Sequence, residues 1–311
     1  MAVSTKVWHK RVLDLFETEL SERVFTTQKL AAVLESHRER LELPLALRVK
    51  RFITFLEEEG QLELVKIQPE QNPSLKKTED EVRVGYRAIP RYVWGDASAF
   101  EVALSLRPRS YLSHASAVFL HGLTTQIPKT VYVNQEQSPK PTPSGGLSQQ
   151  RIDHAFRSRP RLTNYVFAYR ETRLVLLNGK HTGNLEVTEF VDAGAHALSA
   201  TKLERTLIDI TVRPTYAGGV FDVLEAFRGA RERASVATLV ATLAKLDYVY
   251  PYHQALGFYL ERAGFPANRL QRFTDLGLKY DFYLANQMPN PQHDPRWRIY
   301  YPEGLWDGIR A

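Results

Sequence analysis

The stretch from Pro44 to Tyr86 constrains this chain more than any other: an amphipathic helix, a glycine stop, and two strand-forming runs around a polar tip. Val49, Phe52, Ile53 and Leu56 fall at i, i+3, i+4 and i+7, the spacing of one buried helix face. Pro44 is expected in the first turn, where a helix tolerates proline, and Gly60 follows the last periodic residue as a stop. The outer face carries Arg48, Lys50, Arg51 and Thr54 in its leading half, while Glu57, Glu58 and Glu59 lie at its far end. That polarity suits a helix entering a DNA groove end-first. For an isolated helix, a solvated face with scattered charges is the alternative.

The surrounding pattern favours the groove. Trp8, Val12 and Leu15 predict a first helix running to about Leu20. Thr26 and Thr27 are N-cap candidates for a second, with Leu30, Ala31 and Leu34 inward and Lys29 in its first turn. Gln61 to Gln68 reads as a strand, and Val82, Val84 and Tyr86 alternate with Arg83, Gly85 and Arg87 as its return. Lys76 and Lys77 lie near the tip between them. Helices followed by a basic-tipped ribbon are the order of a winged helix-turn-helix, expected over residues 1–92. Arg48 or Arg51 would pair with guanine and Lys50, Lys76 and Lys77 would meet phosphate, with Thr27, Lys29 and Thr54 completing the contacts. The alternative is a winged helix used only to bind protein. Residues 1–90 hold 15 basic and 15 acidic side chains, so this unit has little phosphate-neutralising charge of its own.

The charge lies elsewhere. Of a formal +6, residues 105–180 contribute 11 basic against 3 acidic side chains. Arg151, Arg157, Arg159, Arg161, Arg170 and Arg173 dominate there, an array suited to extending a DNA footprint or to docking an acidic protein. With 43% hydrophobic and 24% charged residues the composition is that of a globular protein. No apolar run approaches the roughly 18 residues of a membrane span, and no signal peptide is evident. Zero cysteines exclude disulfides, thiol nucleophiles and thiolate metal sites, and the cytoplasm is the expected compartment.

Past residue 92, Ile89 to Asp96 is expected as a packed linker and Ala97 to Leu106 as a helix ended by Pro108. In Tyr111 to Thr124, Ser113 is placed to cap a helix that stops at Gly122. His114 and His121 are two helical turns apart, about 10 Å, too far for one metal ion. Capping and core hydrogen bonds account better for both. Strands are expected at Thr130–Asn134, Tyr165–Tyr169, Arg173–Leu177 (with a turn at Asn178 and Gly179) and around Val187, with a loop over 134–150. Thr201 and Glu204 have capping-box spacing before a helix striped by Leu203, Leu207 and Ile210. Glu204, Arg205 and Asp209 could form a salt-bridge set on it. Gly218 and Gly219 precede a helix from Val220, further helices cover Val236–Leu246 and Tyr252–Arg262, and a hairpin is expected about Gly277. The tail from Met288 reads as irregular, clamped by Trp297, Tyr300 and Tyr301. No Walker loop, nucleophile elbow, zinc-protease helix or dinucleotide fingerprint occurs.

A winged helix followed by SHASAVFLHGLT (Ser113 to Thr124) and LERTLIDI with a downstream Gly-Gly (Leu203 to Gly219) resembles the AbiEi antitoxin family of type IV toxin–antitoxin systems. The resemblance spans nearly the whole chain, and the long loop after Asn134 and the tail beyond Pro289 depart from it. It implies a repressor that binds repeats in its own promoter and a C-terminal antitoxin domain, residues 93–311, that counters a nucleotidyltransferase-like toxin without being an enzyme. Ser113, His114, His121, Gly122, Glu204, Arg205 and Asp209 are the signature residues it points to. The expectation is an α+β protein that binds double-stranded DNA, with no cofactor, metal or membrane partner. The alternatives are a free-standing regulator without a toxin, or a metal-dependent nuclease or nucleotidyltransferase drawing on Asp275 and Asp281.

Overall fold

Apolar spacing builds the first layer. The structure, a computed structural model, describes residues 4–70, 87–141, 146–191 and 197–305. Helix α1 (Ser4–Asp14) runs on through a π-helical turn, Leu15–Glu19, so that Trp8, Val12, Leu15 and Phe16 share one buried side. A short strand β1 (Val24–Phe25) leads into α2 (Thr27–Ser36). Thr26 caps α2, its hydroxyl accepting from the Lys29 N–H at 3.2 Å, which leaves Thr27 as the first helical residue. Helix α3 (Val49–Glu58) starts later than its proline signalled. Pro44 instead closes a turn: its carbonyl accepts from the Leu47 N–H at 2.9 Å and from Arg38 at 2.7 Å. Phe52, Ile53, Phe55 and Leu56 bury the inner face of α3 against Trp8, Leu30, Leu34 and Trp94. Gly60 is needed for close approach, since a Cβ there would meet the Trp94 ring at 2.7 Å.

Strand β2 (Leu62–Glu70) then pairs antiparallel with β3 (Ile89–Trp94), from Leu62 opposite Trp94 to Ile67 opposite Ile89. The stretch expected as a linker is thus the return strand, and residue 92 lies inside it. Pro90 fits because β1 covers only Tyr92 and Val93, leaving one side of β3 open beyond them. Val82, Val84, Tyr86 and the tip lysines Lys76 and Lys77 lie outside the described residues. The second half of β2 leaves β3 behind: Gln68 to Glu70 pair with β6 (Val166–Tyr169).

The remaining elements complete one mixed sheet. In chain order they are α4 (Ala99–Leu104), opened by a Ser98–Glu101 capping box, β4 (Tyr111–Leu112), α5 (Ala115–Leu120), β5 (Thr130–Glu136), α6 (Gln149–Arg157), β6, β7 (Thr172–Gly179), β8 (Val187–Val191) and β9 (Ala197–Thr201). The strand order is β1-β3-β2-β6-β7-β5-β4-β9-β8, with β5/β7 and β4/β9 parallel and the other pairs antiparallel. Asn178 and Gly179 belong to β7, opposite Gln135 and Glu136, rather than to a turn. Val131, Val133, Leu174 and Leu176 pack with Val102 and Ala103 of α4 on one face. Tyr132, Val175 and Leu177 meet Tyr216 on the other.

Behind that second face stand α7 (Leu203–Val212), a 3-10 turn (Pro214–Ala217), α8 (Val220–Gly229), α9 (Val236–Leu246), α10 (Tyr252–Arg262) and α11 (Ala267–Thr274). The hairpin expected about Gly277, with Arg272 and Phe273 in one arm and Leu278 to Leu284 in the other, does not form: Arg272 and Phe273 lie in α11, where Leu270 and Phe273 are buried one turn apart. The tail is ordered as β10 (Phe282–Tyr283), β11 (Gln292–Asp294) and β12 (Ile299–Tyr301), a small sheet of order β10-β12-β11. Fully buried Trp297 pins it, its indole N–H donating to Glu261 at 2.8 Å. The architecture is mixed α/β, and among the described residues no helix is long and apolar enough to cross a membrane.

Because the inner face of α3 is what fixes its outer one, Leu56→Ala should lower the unfolding free energy by about 2–5 kcal/mol. Urea denaturation measures it. A loss under about 1 kcal/mol would mean that α3 is held by something other than this packing.

Candidate nucleic-acid interface and the buried polar centre

With Phe52, Ile53, Phe55 and Leu56 inward, 3.6-residue periodicity leaves Arg48, Lys50, Arg51 and Thr54 outward, and all four are exposed. They occupy roughly 9 Å of helix axis. Arg48, Lys50 and Arg51 form no ion pair with any described residue, while at the other end Glu59 accepts from His9 at 3.0 Å. Arg48 sits near enough to Glu35 to help lower its carboxyl pKa, chiefly an effect of the Arg38 hydrogen bond. Thr27 is exposed on α2, and Lys29 is exposed but paired with Glu22.

The basic stretch resolves into two kinds of arginine. Arg173 pairs with Glu70 at 2.9 Å and Arg170 with Asp96 at 3.0 Å, so both tie the large sheet to the first hairpin. Arg151, Arg157, Arg159 and Arg161 are exposed on α6 and the segment after it. Arg151 also reaches the Gly146 carbonyl at 2.8 Å.

The signature residues are architectural in their contacts. Ser113 does not cap α5: its hydroxyl lies 2.9 Å from His114 Nδ1, and His114 itself precedes the helix at φ 51°, ψ −131°. That positive φ for a non-glycine residue is strained backbone, held by the surroundings. Burial, with the charges of Arg213 and Arg205 adding to it, pushes the His114 pKa down to about 3. His121 closes the same helix. Its Nε2 lies 2.9 Å from the Thr201 carbonyl, its ring stands edge-on to Phe190, and burial lowers its pKa. Gly122 follows at φ 65°, the left-handed stop that glycine favours. The two histidines serve different neighbours.

The Thr201–Glu204 capping box does not form. Thr201 ends β9 and its hydroxyl pairs with that of Thr206 at 2.8 Å, whereas Glu204 accepts the Ser235 N–H at 2.8 Å, across to the start of α9. Arg205 and Asp209 do pair, at 2.8 Å, with both side chains buried. Arg205 also donates to the Leu185 carbonyl at 2.9 Å. Burial opposes the Arg205 charge, but Asp209 more than restores it and holds the guanidinium pKa above its usual value.

Around this pair lies a polar centre that the sequence did not reveal. Asn134 Nδ2 donates to the Tyr111 hydroxyl at 2.7 Å, and that hydroxyl donates to Glu136 at 3.2 Å. Glu136 accepts the backbone N–H groups of Thr182 at 2.7 Å and Gly183 at 2.9 Å, and the Thr182 hydroxyl besides. Burial would raise its pKa, but the hydrogen bonds from Thr182, Asn184 and Tyr111 outweigh it and hold the carboxylate below its usual range. Tyr248, a few residues before α10, lies near enough for Asp209 to add to the burial that raises its hydroxyl pKa. The centre straps residues 180–186 across β5 and α7. Only the end of β5 pointed to it, where alternation continues past Asn134 to place Glu136 on the same face.

Asp281 accepts from His293 at 2.9 Å and Arg298 at 2.8 Å, and Asp275 accepts from Gln271 at 2.8 Å. Among the described residues no three His, Asp or Glu side chains are grouped to hold a metal ion. A hollow of about 330 Å³ lies on the α4 side of the sheet, between Arg107, Pro108, Gln135, Tyr165, Leu176 and Asn178.

No protein-family model matches the sequence, and no curated protein matches it. In structure the chain is similar to the RV2827C protein from Mycobacterium tuberculosis, whose crystal structure superposes with a TM-score of 0.53 at 16% identity, over 94% of this chain and 90% of that one. At that identity the likeness is one of fold, and it places the mixed α/β architecture in a solved protein.

The His114 environment has a pH consequence. A histidine of pKa about 3 folded and 6.5 unfolded binds fewer protons in the folded chain, so its contribution is complete above pH 6.5 and is lost as pH falls toward 3. Between pH 7 and 5 this removes about 2 kcal/mol. His114→Asn should flatten that part of the stability profile measured by urea denaturation, and an unchanged slope would place the loss at other groups. Separately, Arg205→Met leaves Asp209 buried without its partner and should destabilise by about 3–5 kcal/mol.

Proposed function

We propose that this protein is a sequence-specific DNA-binding repressor of its own operon, whose residues 1–92 act as a winged helix-turn-helix and whose remaining residues act as an antitoxin. The observation that carries the reading is the outward face of α3: Arg48, Lys50, Arg51 and Thr54 are exposed in its leading half, and the opposite side is buried. In this reading α3 enters the major groove, Arg48 or Arg51 pairs bidentately with the O6 and N7 of guanine, and Lys50 meets phosphate. Lys76 and Lys77 would act as wing contacts. The balanced charge of residues 1–90 leaves room for Arg151, Arg157, Arg159 and Arg161 to supply further phosphate contacts or to dock an acidic toxin. The likeness of Ser113–Thr124 and Leu203–Gly219 to the AbiEi antitoxins supports the second role, with a nucleotidyltransferase-like toxin as the partner.

Selection of bound duplexes from a randomised pool tests the reading with the full chain. A motif should emerge, and Arg48→Ala or Arg51→Ala should weaken binding to it by about 1–3 kcal/mol while relaxing preference at one position. An equal loss on random duplex would reassign these arginines to phosphate. If no motif emerges at all, the repressor reading is wrong.

A further inference from the structure

The small C-terminal sheet has two unlike faces. Phe282, Trp297 and Ile299 go inward, all fully buried. Tyr283, Tyr300 and His293 are register partners across β10, β12 and β11, so they stand side by side on the other face. Their rings form a row: Tyr283 and Tyr300 stack at 4.7 Å between centroids, Tyr300 and His293 lie 4.8 Å apart, and Phe156 of α6 extends the row beyond Tyr283 at 5.5 Å. The tyrosines are half-buried and His293 is exposed.

Cations border the row. Helix α6 is locked against the sheet by the Tyr283 hydroxyl donating to Asp153 at 3.1 Å and by Gln149, which accepts the Asp281 N–H and donates to its carbonyl, each at 2.9 Å. This docking brings Arg157 close enough to Tyr283 to act electrostatically on its hydroxyl. Arg298 stands at the other side on Asp281. The two acids facing the row are already engaged, Asp281 with His293 and Arg298, and Asp153 with Tyr283 and Gln149.

We propose that this face binds single-stranded nucleic acid, with bases stacking on the ring row at its His293 and Tyr300 end and phosphates meeting Arg157 and Arg298. Phe156 and Tyr283 pack against the core at one end of the row, whereas Tyr300 and His293 stand on the opposite face of the sheet from Phe282, Trp297 and Ile299. Aromatic rings with flanking arginines are the chemistry that holds unpaired bases and their backbone. A duplex keeps its bases stacked inside and offers this surface only phosphate. An acidic protein would use the arginines and leave the rings idle. The proposal makes no use of α3 and shares only Arg157 with the repressor reading.

Fluorescence anisotropy with labelled mixed-sequence 12-mers tests it on the full chain, with RNA, single-stranded DNA, duplex DNA and an abasic single strand of the same length compared at two salt concentrations. Binding of an unpaired strand should exceed that of the abasic strand about tenfold, and the RNA and DNA arms show which sugar is preferred. Tyr300→Ala should weaken it about tenfold and Tyr300→Phe should not, while Tyr300→Leu, which keeps apolar bulk, should behave like alanine; near-equal thermal midpoints for the Leu and Phe variants separate ring loss from unfolding. Arg157→Ala should flatten the salt dependence. Arg48→Ala should leave single-strand binding unchanged, so failure of the repressor reading would show on duplex alone. Equal binding of the abasic strand, full binding by Tyr300→Leu, equally effective competition by polyglutamate, or no binding of unpaired strands at low salt would each overturn the proposal.

Discussion

β2 is one strand with two partners, and the geometry of the N-terminal third depends on it. Leu62 to Ile67 ladder with β3, and Gln68 to Glu70 ladder with β6. A backbone in extended conformation cannot bend freely between the two ladders, so the helices packed on the first hairpin are carried by the large sheet. Arg173 on Glu70 and Arg170 on Asp96 reinforce the same join. These ion pairs are partly exposed, so each contributes little by itself. The continuous hydrogen-bonded ladder is the stronger constraint. α3 therefore presents its cations from a platform rather than from a tethered module.

A second constraint works deeper in the molecule. Glu136, Arg205 and Asp209 are charged groups removed from water, and such groups are tolerated only when their hydrogen-bonding capacity is filled. Here it is filled partly by backbone, the N–H groups of Thr182 and Gly183 on Glu136 and the Leu185 carbonyl on Arg205, and partly by the Tyr111 and Thr182 hydroxyls and the Arg205–Asp209 pair itself. The centre thereby fixes a connecting segment that has few apolar side chains of its own to anchor it. Ser113, His114 and His121 tie the ends of α5 through hydrogen bonds, and burial lowers the pKa of both imidazoles.

Elements with strong local periodicity were legible from residues alone. The stripes Val49–Leu56, Leu203–Ile210, Val236–Leu246 and Tyr252–Arg262 each mark a helix, because one apolar face every 3.6 residues has no other way to be buried. The pairing of Arg205 with Asp209 followed from i, i+4 spacing within one such helix. Caps were less legible. Ser113, Thr201 and Pro44 all stand at plausible helix starts, yet each is drawn to a partner distant from that role: the His114 ring, the Thr206 hydroxyl and the Arg38 guanidinium. Short apolar runs were ambiguous for the same reason. Ile89–Asp96, expected as a packed linker, supplies a strand once β2 lies beside it, and Leu270–Phe273 becomes helical once α11 packs against its neighbours.

By itself, the sequence determined which faces of which helices are apolar, and hence that Arg48, Lys50 and Arg51 would point to solvent, since that follows from local chain geometry. The tertiary structure alone decided what the polar residues do. Whether an arginine such as Arg173 meets an acid or, like Arg157, pairs with no described acid, whether Glu136 is buried, and whether Tyr283, Tyr300 and His293 align into one row all depend on which strands become neighbours. That choice is set by non-local hydrogen-bonded pairing, and sequence spacing carries no record of it.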